Sequence, residues 1–243
     1  MISSSFIVDK SLLIEALAKD TFRKVNLITF PRQWGKTTNM KMLELFLNTE
    51  FDEKGDEVSL YETVAYKLFV NGTYTLKKDG KVKTITLQGG PFLISESNDV
   101  LNRYLGQYPV ICFTFLSLSL ESFDQFKESF KFNMIDTFRK HKFLMKKFEN
   151  IINKNEQFSD EVREDLDAFN KCFSSRRMDK MVPHLVCIKT LARLLYEHSG
   201  KRVCILFDEY DDVYNKLRFN QQTTKNDEDK NLILGFISKF MMS

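Results

Sequence analysis

The stretch Val25-Asn26-Leu27-Ile28-Thr29-Phe30-Pro31-Arg32-Gln33-Trp34-Gly35-Lys36-Thr37-Thr38 decides how the chain is read. Val25 to Phe30 is short, apolar and rich in strand-forming residues, and Pro31 stops it. A helical pattern begins near Gly35 and runs to Leu47. Strand, tight loop and helix in that order are the setting of a phosphate-binding loop, in which backbone amides and the helix N-terminus point at phosphate oxygens. The residues expected to hold a nucleotide are Arg32, Gln33, Trp34, Gly35, Lys36, Thr37 and Thr38. Lys36 has the charge and reach for the β and γ oxygens, and the Thr37 hydroxyl is a magnesium ligand by type. The usual pattern, GxxxxGK[ST], asks for glycine where this chain has Phe30, so the match rests on Gly35-Lys36-Thr37 and their setting. Gly-Lys-Thr also occurs by chance as a turn before a helix. Trp34 is expected to pack the loop against the domain rather than to stack on a base.

A second stretch decides between those readings. Val203-Cys204-Ile205-Leu206-Phe207-Asp208-Glu209 is an apolar run that ends in two acids. It places carboxylates at the C-terminal end of a buried strand, where ligands of parallel sheets bind. Asp208 is then the magnesium-holding acid, and Glu209 the general base toward an attacking water. Glu209 and Lys36 are thus the expected catalytic residues, and Thr37 and Asp208 the expected metal ligands. The competing account has Asp208, Glu209, Asp211 and Asp212 merely favouring the N-terminus of the next helix.

Outward from these stretches, Asp9 is a capping residue for a helix to about Lys19. Phe51 to Gly106 reads as an insertion, an antiparallel meander with strands at Tyr66 to Val70, Thr73 to Leu76 and Val82 to Leu87, because Asn71-Gly72 and Asp79-Gly80 separate the runs. A strand follows at Val110 to Phe115. Helices are expected over about Ser122 to Phe148, Asp160 to Cys172 and Val182 to His198, then the strand Arg202 to Phe207. A helical turn, a polar loop over Asn220 to Asp229 and a last helix complete the pattern. The fold class expected is α/β, a P-loop parallel sheet flanked by helices, with one domain over residues 1–243.

Composition excludes less than the motifs do. With 36 basic and 33 acidic residues the formal charge is +3, too balanced for a partner chosen by bulk electrostatics. The 23 phenylalanines are scattered through helical and strand patterns and read as core. Cys112, Cys172, Cys187 and Cys204 form no CxxC pair, which suits a reducing, intracellular setting, cytoplasmic or nuclear. The N-terminal residues have no secretory pattern, and Val110 to Leu120 is too short and polar to span a bilayer. The spacing of His141, His184 and His198 suits no zinc site. The basic clusters Lys77-Lys78 with Lys81 and Lys83, Arg139-Lys140-His141-Lys142 with Lys146-Lys147, and Arg176-Arg177 read as solvated surface, with nucleic acid as the sharper alternative.

Together, Asp9-Lys10 with its helix, Phe30 to Thr37, Asn39-Met40, Met42-Leu43, Gly106-Gln107-Tyr108-Pro109-Val110-Ile111 and Phe207-Asp208-Glu209-Tyr210-Asp211 resemble the AAA-ATPase-like domain family. That family's loop reads Pro-Arg-Arg-Phe-Gly-Lys-Ser/Thr, so the resemblance accounts for the absent first glycine. It implies an ASCE-type P-loop fold with ATP and Mg2+ as cofactors. Larger members have a PD-(D/E)XK-type nuclease domain downstream, a segment this chain is expected to lack. The resemblance also implies a further strand with a polar sensor residue, whereas the residues after Glu209 read as loop and helix. An arginine toward the phosphates would then come from a protein partner or a second copy. The expected function is ATP-Mg binding with slow hydrolysis, driving a nucleotide-dependent switch. A non-hydrolysing scaffold is the alternative, and a nucleic-acid-associated protein the third reading.

Overall fold

The computed structural model describes residues 8–19, 25–29, 34–78, 81–87, 90–153, 162–167, 169, 187–219, 224 and 226–242. The chain is a mixed α/β protein that divides into two compact units, Met1–Glu50 with Glu57–Tyr108, and Phe51–Asp56 with Pro109–Ser243.

The first unit contains helices α1 (Leu12–Lys19), α2 (Lys36–Leu47), α3 (Val64–Phe69) and α4 (Asn98–Tyr104), with 3-10 turns at Leu60–Glu62 and Leu93–Glu96. Strands β1 (Thr73–Lys78) and β2 (Lys81–Thr86) pair antiparallel, Thr73 opposite Thr86 and Lys78 opposite Lys81. The hairpin expected from Asp79-Gly80 is therefore present, although that dipeptide itself lies outside the described residues. The meander is not. Tyr66 to Val70 was expected as its first strand, but Val64–Phe69 is helix. The cause is local: the Thr63 hydroxyl accepts the Tyr66 amide at 3.1 Å, and Glu50 Oε1 accepts the Val64 amide at 2.7 Å, which caps the helix start. Asn71-Gly72 then follows a helix instead of joining two strands. Gly72 has φ +68°, and a Cβ there would meet the backbone of Gly90 and Pro91 at 3.0 Å, so only glycine fits. The core of this unit is Ile14, Leu43, Phe46, Leu47, Phe69, Ile94 and their neighbours.

The second unit holds β3 (Val110–Thr114), α5 (Phe123–Arg139), α6 (Phe143–Asn153), α7 (Cys187–Ser199), β4 (Cys204–Asp208), α8 (Asp212–Phe219) and α9 (Asp227–Met242), with residues 162–167 also helical. β3 and β4 pair in parallel, from Val110 opposite Cys204 to Thr114 opposite Asp208. Ile111, Phe113 and Phe115 are fully buried on one core with Phe126, Phe130, Leu191, Leu194 and Phe240. Phe126, Phe130, Met134 and Phe138 recur every four residues along α5, which is why that helix buries one face. One helix from Ser122 to Phe148 was expected, and the structure breaks it at 140–142. There the amides of Lys140, His141 and Lys142 each donate three residues back, a tightened turn that buries His141 and starts α6. The ends of the expected helices Asp160 to Cys172 and Val182 to His198 fall partly outside the described residues.

A second strand expectation fails. Residues 25–29 form no strand, and Val25 and Leu27 are 85% and 70% exposed. A β-branched apolar run becomes a strand only where a neighbouring edge satisfies its backbone and a core takes its side chains. Among the described residues, the parallel ladder is made by β3 and β4 alone.

Candidate functional site

The loop expected to bind phosphate belongs to the first unit. Arg32 and Gln33, with Phe30 and Pro31, lie outside the described residues. From Trp34 onward the local geometry is defined. Gly35 has φ +82° and is the N-cap of α2, a left-handed conformation in which any L side chain is strained. Its carbonyl accepts the Asn39 amide at 2.8 Å, closing the first helical turn. Among the described residues no side-chain hydrogen bond caps this N-terminus, and its first turn contains no acid to meet the positive end of the helix dipole. Lys36 and Thr37 are half-buried, and Thr38 is exposed. Asn39, Leu43, Phe46 and Leu47 are the buried residues of α2 and fix the helix in its unit. The expectation that Trp34 packs the loop is not met, because the residue is 59% exposed. Its carbonyl accepts a hydrogen bond from Lys10 Nζ at 3.0 Å.

The acidic turn belongs to the second unit. Asp208 ends β4 opposite Thr114, and its carbonyl accepts the Phe115 amide at 3.0 Å, so the ladder continues to the last strand residue. β4 is less enclosed than its apolar sequence implies, with Ile205 exposed. Asp208 is only 8% exposed. Among the described residues its carboxylate takes one hydrogen bond, from the Glu209 amide at 3.1 Å, and no ion pair. Glu209 follows at φ +52°, one of two non-glycine residues with positive φ among those described. This conformation costs a residue with a Cβ about 1–2 kcal/mol. Asp212 opens α8 and is as buried as Asp208, but it pairs with Lys216 one turn on. Asp211 accepts from Asn215 Nδ2 at 3.1 Å. The acids therefore divide: Asp211 and Asp212 serve the helix, as the competing account holds for all four, while the Asp208 carboxylate bonds instead to the Glu209 amide.

Asp208 fits a divalent cation by its chemistry, a buried carboxylate with no cationic partner among the described residues. Among those residues no three His, Cys, Asp or Glu side chains are grouped to hold a metal ion. Magnesium does not require such a group, since it is commonly held by one or two protein oxygens with water and substrate phosphates. Elsewhere in this unit, burial pushes His141 down to about 4 and the Cys204 thiol up to about 11, so both are neutral near pH 7.

Sequence reasoning did not foresee the contact of Lys10 with the loop or the left-handed backbone at Glu209. The first had a signal, Lys10 next to the capping Asp9, and the second had none. By fold the chain is an α/β protein with a short parallel ladder. Compared with known proteins, it matches no family model, no curated protein and no solved structure.

Proposed function

We propose that this chain binds ATP with magnesium and hydrolyses it slowly, as a nucleotide-driven switch of the P-loop ATPase type. The observation that carries the reading is Asp208, a buried carboxylate at a strand end with no cationic partner among the described residues, beside Asp212, which has one. The uncapped N-terminus of α2 behind a left-handed Gly35 supports it independently, as does the likeness of the two motifs to the AAA-ATPase-like domain family. In this reading the β3–β4 ladder is part of a P-loop NTPase sheet. No helix among the described residues is long and apolar enough to cross a membrane.

The roles follow from the residue chemistry. Backbone amides from Arg32 to Thr38 take phosphate oxygens, and the Lys36 ammonium offsets charge on the β and γ groups. Thr37 and Asp208 are the side chains whose oxygens would hold a magnesium ion, which would supply charge neutralisation at the phosphates. Glu209 takes a proton from the water whose oxygen attacks the γ phosphorus, and the bond to the β-phosphate oxygen breaks with its electron pair leaving on ADP. Hydrolysis is slow because the arginine that speeds such reactions is assigned to a partner or a second copy.

The test is the magnesium dependence of ATP binding. Asp208→Ala is expected to remove most of the gain in affinity that magnesium gives the wild type, with magnesium-free binding changed less. Equal losses with and without magnesium would assign Asp208 to folding instead.

A further inference from the structure

The pair Asp9-Lys10 belongs to the sequence signature, yet nucleotide binding as described gives it no task. Its surroundings supply one. Asp9 accepts the Ser11 amide at 2.8 Å on one carboxylate oxygen and the Leu93 amide at 2.7 Å on the other. The Ser11 hydroxyl, fully buried, accepts the Ile94 amide at 3.0 Å. Residues 9 and 11 thus fasten the start of α1 to the turn Leu93–Glu96, and Lys10 springs from a fixed base between them. Its ammonium donates to the Trp34 carbonyl at 3.0 Å.

That carbonyl shares a peptide unit with the Gly35 amide. A trans peptide is planar, so its C=O and N–H point in opposite directions, and holding one aims the other. Gly35 is the residue whose left-handed φ turns the chain into α2, and glycine by itself imposes no single φ. We propose that Lys10 is a positioning residue of the phosphate loop: by holding the Trp34 carbonyl it sets the direction of the Gly35 amide before nucleotide arrives. This rests on the nucleotide-binding reading of the loop.

Trp34 is the only tryptophan of the chain, so its fluorescence reports the loop alone. The experiment compares wild type, Lys10→Met and Lys10→Arg by Trp34 anisotropy without ligand, by ATP-Mg titration and by thermal melting. Lys10→Met is expected to lower the anisotropy and weaken ATP-Mg about fivefold, the scale of one exposed charge-assisted hydrogen bond, with the melting midpoint kept. Lys10→Arg, which keeps a cationic donor, should restore both. Wild-type anisotropy and affinity in Lys10→Met overturn the proposal, and so does a fall in melting midpoint that Lys10→Arg does not repair. Should the wild type bind no ATP, the nucleotide reading falls separately, and the anisotropy still decides whether Lys10 holds the loop.

Discussion

Two segments of this chain have the same sequence grammar, an apolar run followed by a polar turn and a helix, and only one of them folds with its strand. Cys204–Asp208 is β4, paired along its length with β3, whereas residues 25–29 form no strand. Both helices that follow are present, α8 and α2. The difference lies in where the stabilisation comes from. Helix α2 is specified by hydrogen bonds within itself and by an apolar face at helical spacing, all encoded within a dozen residues. A strand has no such self-sufficiency, and β4 depends on a partner some ninety residues earlier in the chain. The acids at Asp208 and Glu209 thus inherit their position from long-range packing, the helix α2 from local geometry.

The sharpest way to break this comparison is by core truncation. Phe113 lies within 5.5 Å, centroid to centroid, of Phe115, Phe130 and Phe240, so Phe113→Ala should cost about 3–5 kcal/mol in denaturant unfolding. Leu27→Ser, at an exposed position, should stay within about 0.5 kcal/mol. A core-sized loss at Leu27 would mean that residues 25–29 are a buried strand in solution, and the contrast would vanish.

A somewhat smaller effect comes from His141, buried at the turn between α5 and α6 and lowered to about 4 by burial and then by Lys140. Below its ordinary value of 6.5 the unfolded chain gains a proton there that the folded chain refuses. Stability from this group is therefore full above pH 6.5, falls as the pH drops toward 4 and is level below, a loss of about 3 kcal/mol. Measured across that window, His141→Leu should show a shallower loss than wild type. Parallel curves would contradict a neutral buried imidazole. The smallest expected effect is at the acidic turn. Glu209→Gly removes the strain of a left-handed residue and should stabilise the second unit by about 1 kcal/mol while abolishing turnover. No gain in stability would show that the turn is relaxed with glutamate in place.

Legibility in the sequence followed the same division. α2, the β1–β2 hairpin and both strands of the parallel ladder could be read from periodicity and turn residues, because each announces itself locally. Tyr66 to Val70 was misread because its apolar run fits either structure, and the deciding groups were side-chain caps at Thr63 and Glu50. The break at 140–142 is silent in the pattern, since apolar spacing continues through it into α6. At the site, residue types and spacing pointed to Gly35, Lys36, Asp208 and Glu209, and only the folded chain separates Asp208 from the helix-serving Asp211 and Asp212. The exposure of Trp34 was equally out of reach, because an aromatic in a loop packs or projects according to neighbours distant in sequence.

The most direct test of the central claim is a calorimetric titration of ATP-Mg into the wild type and into Lys36→Ala. The account predicts saturable binding by the wild type and at least about tenfold weaker binding by the variant, since a charge-assisted contact to the phosphates is removed. Equal affinity of the two chains, or no binding by either, would contradict it.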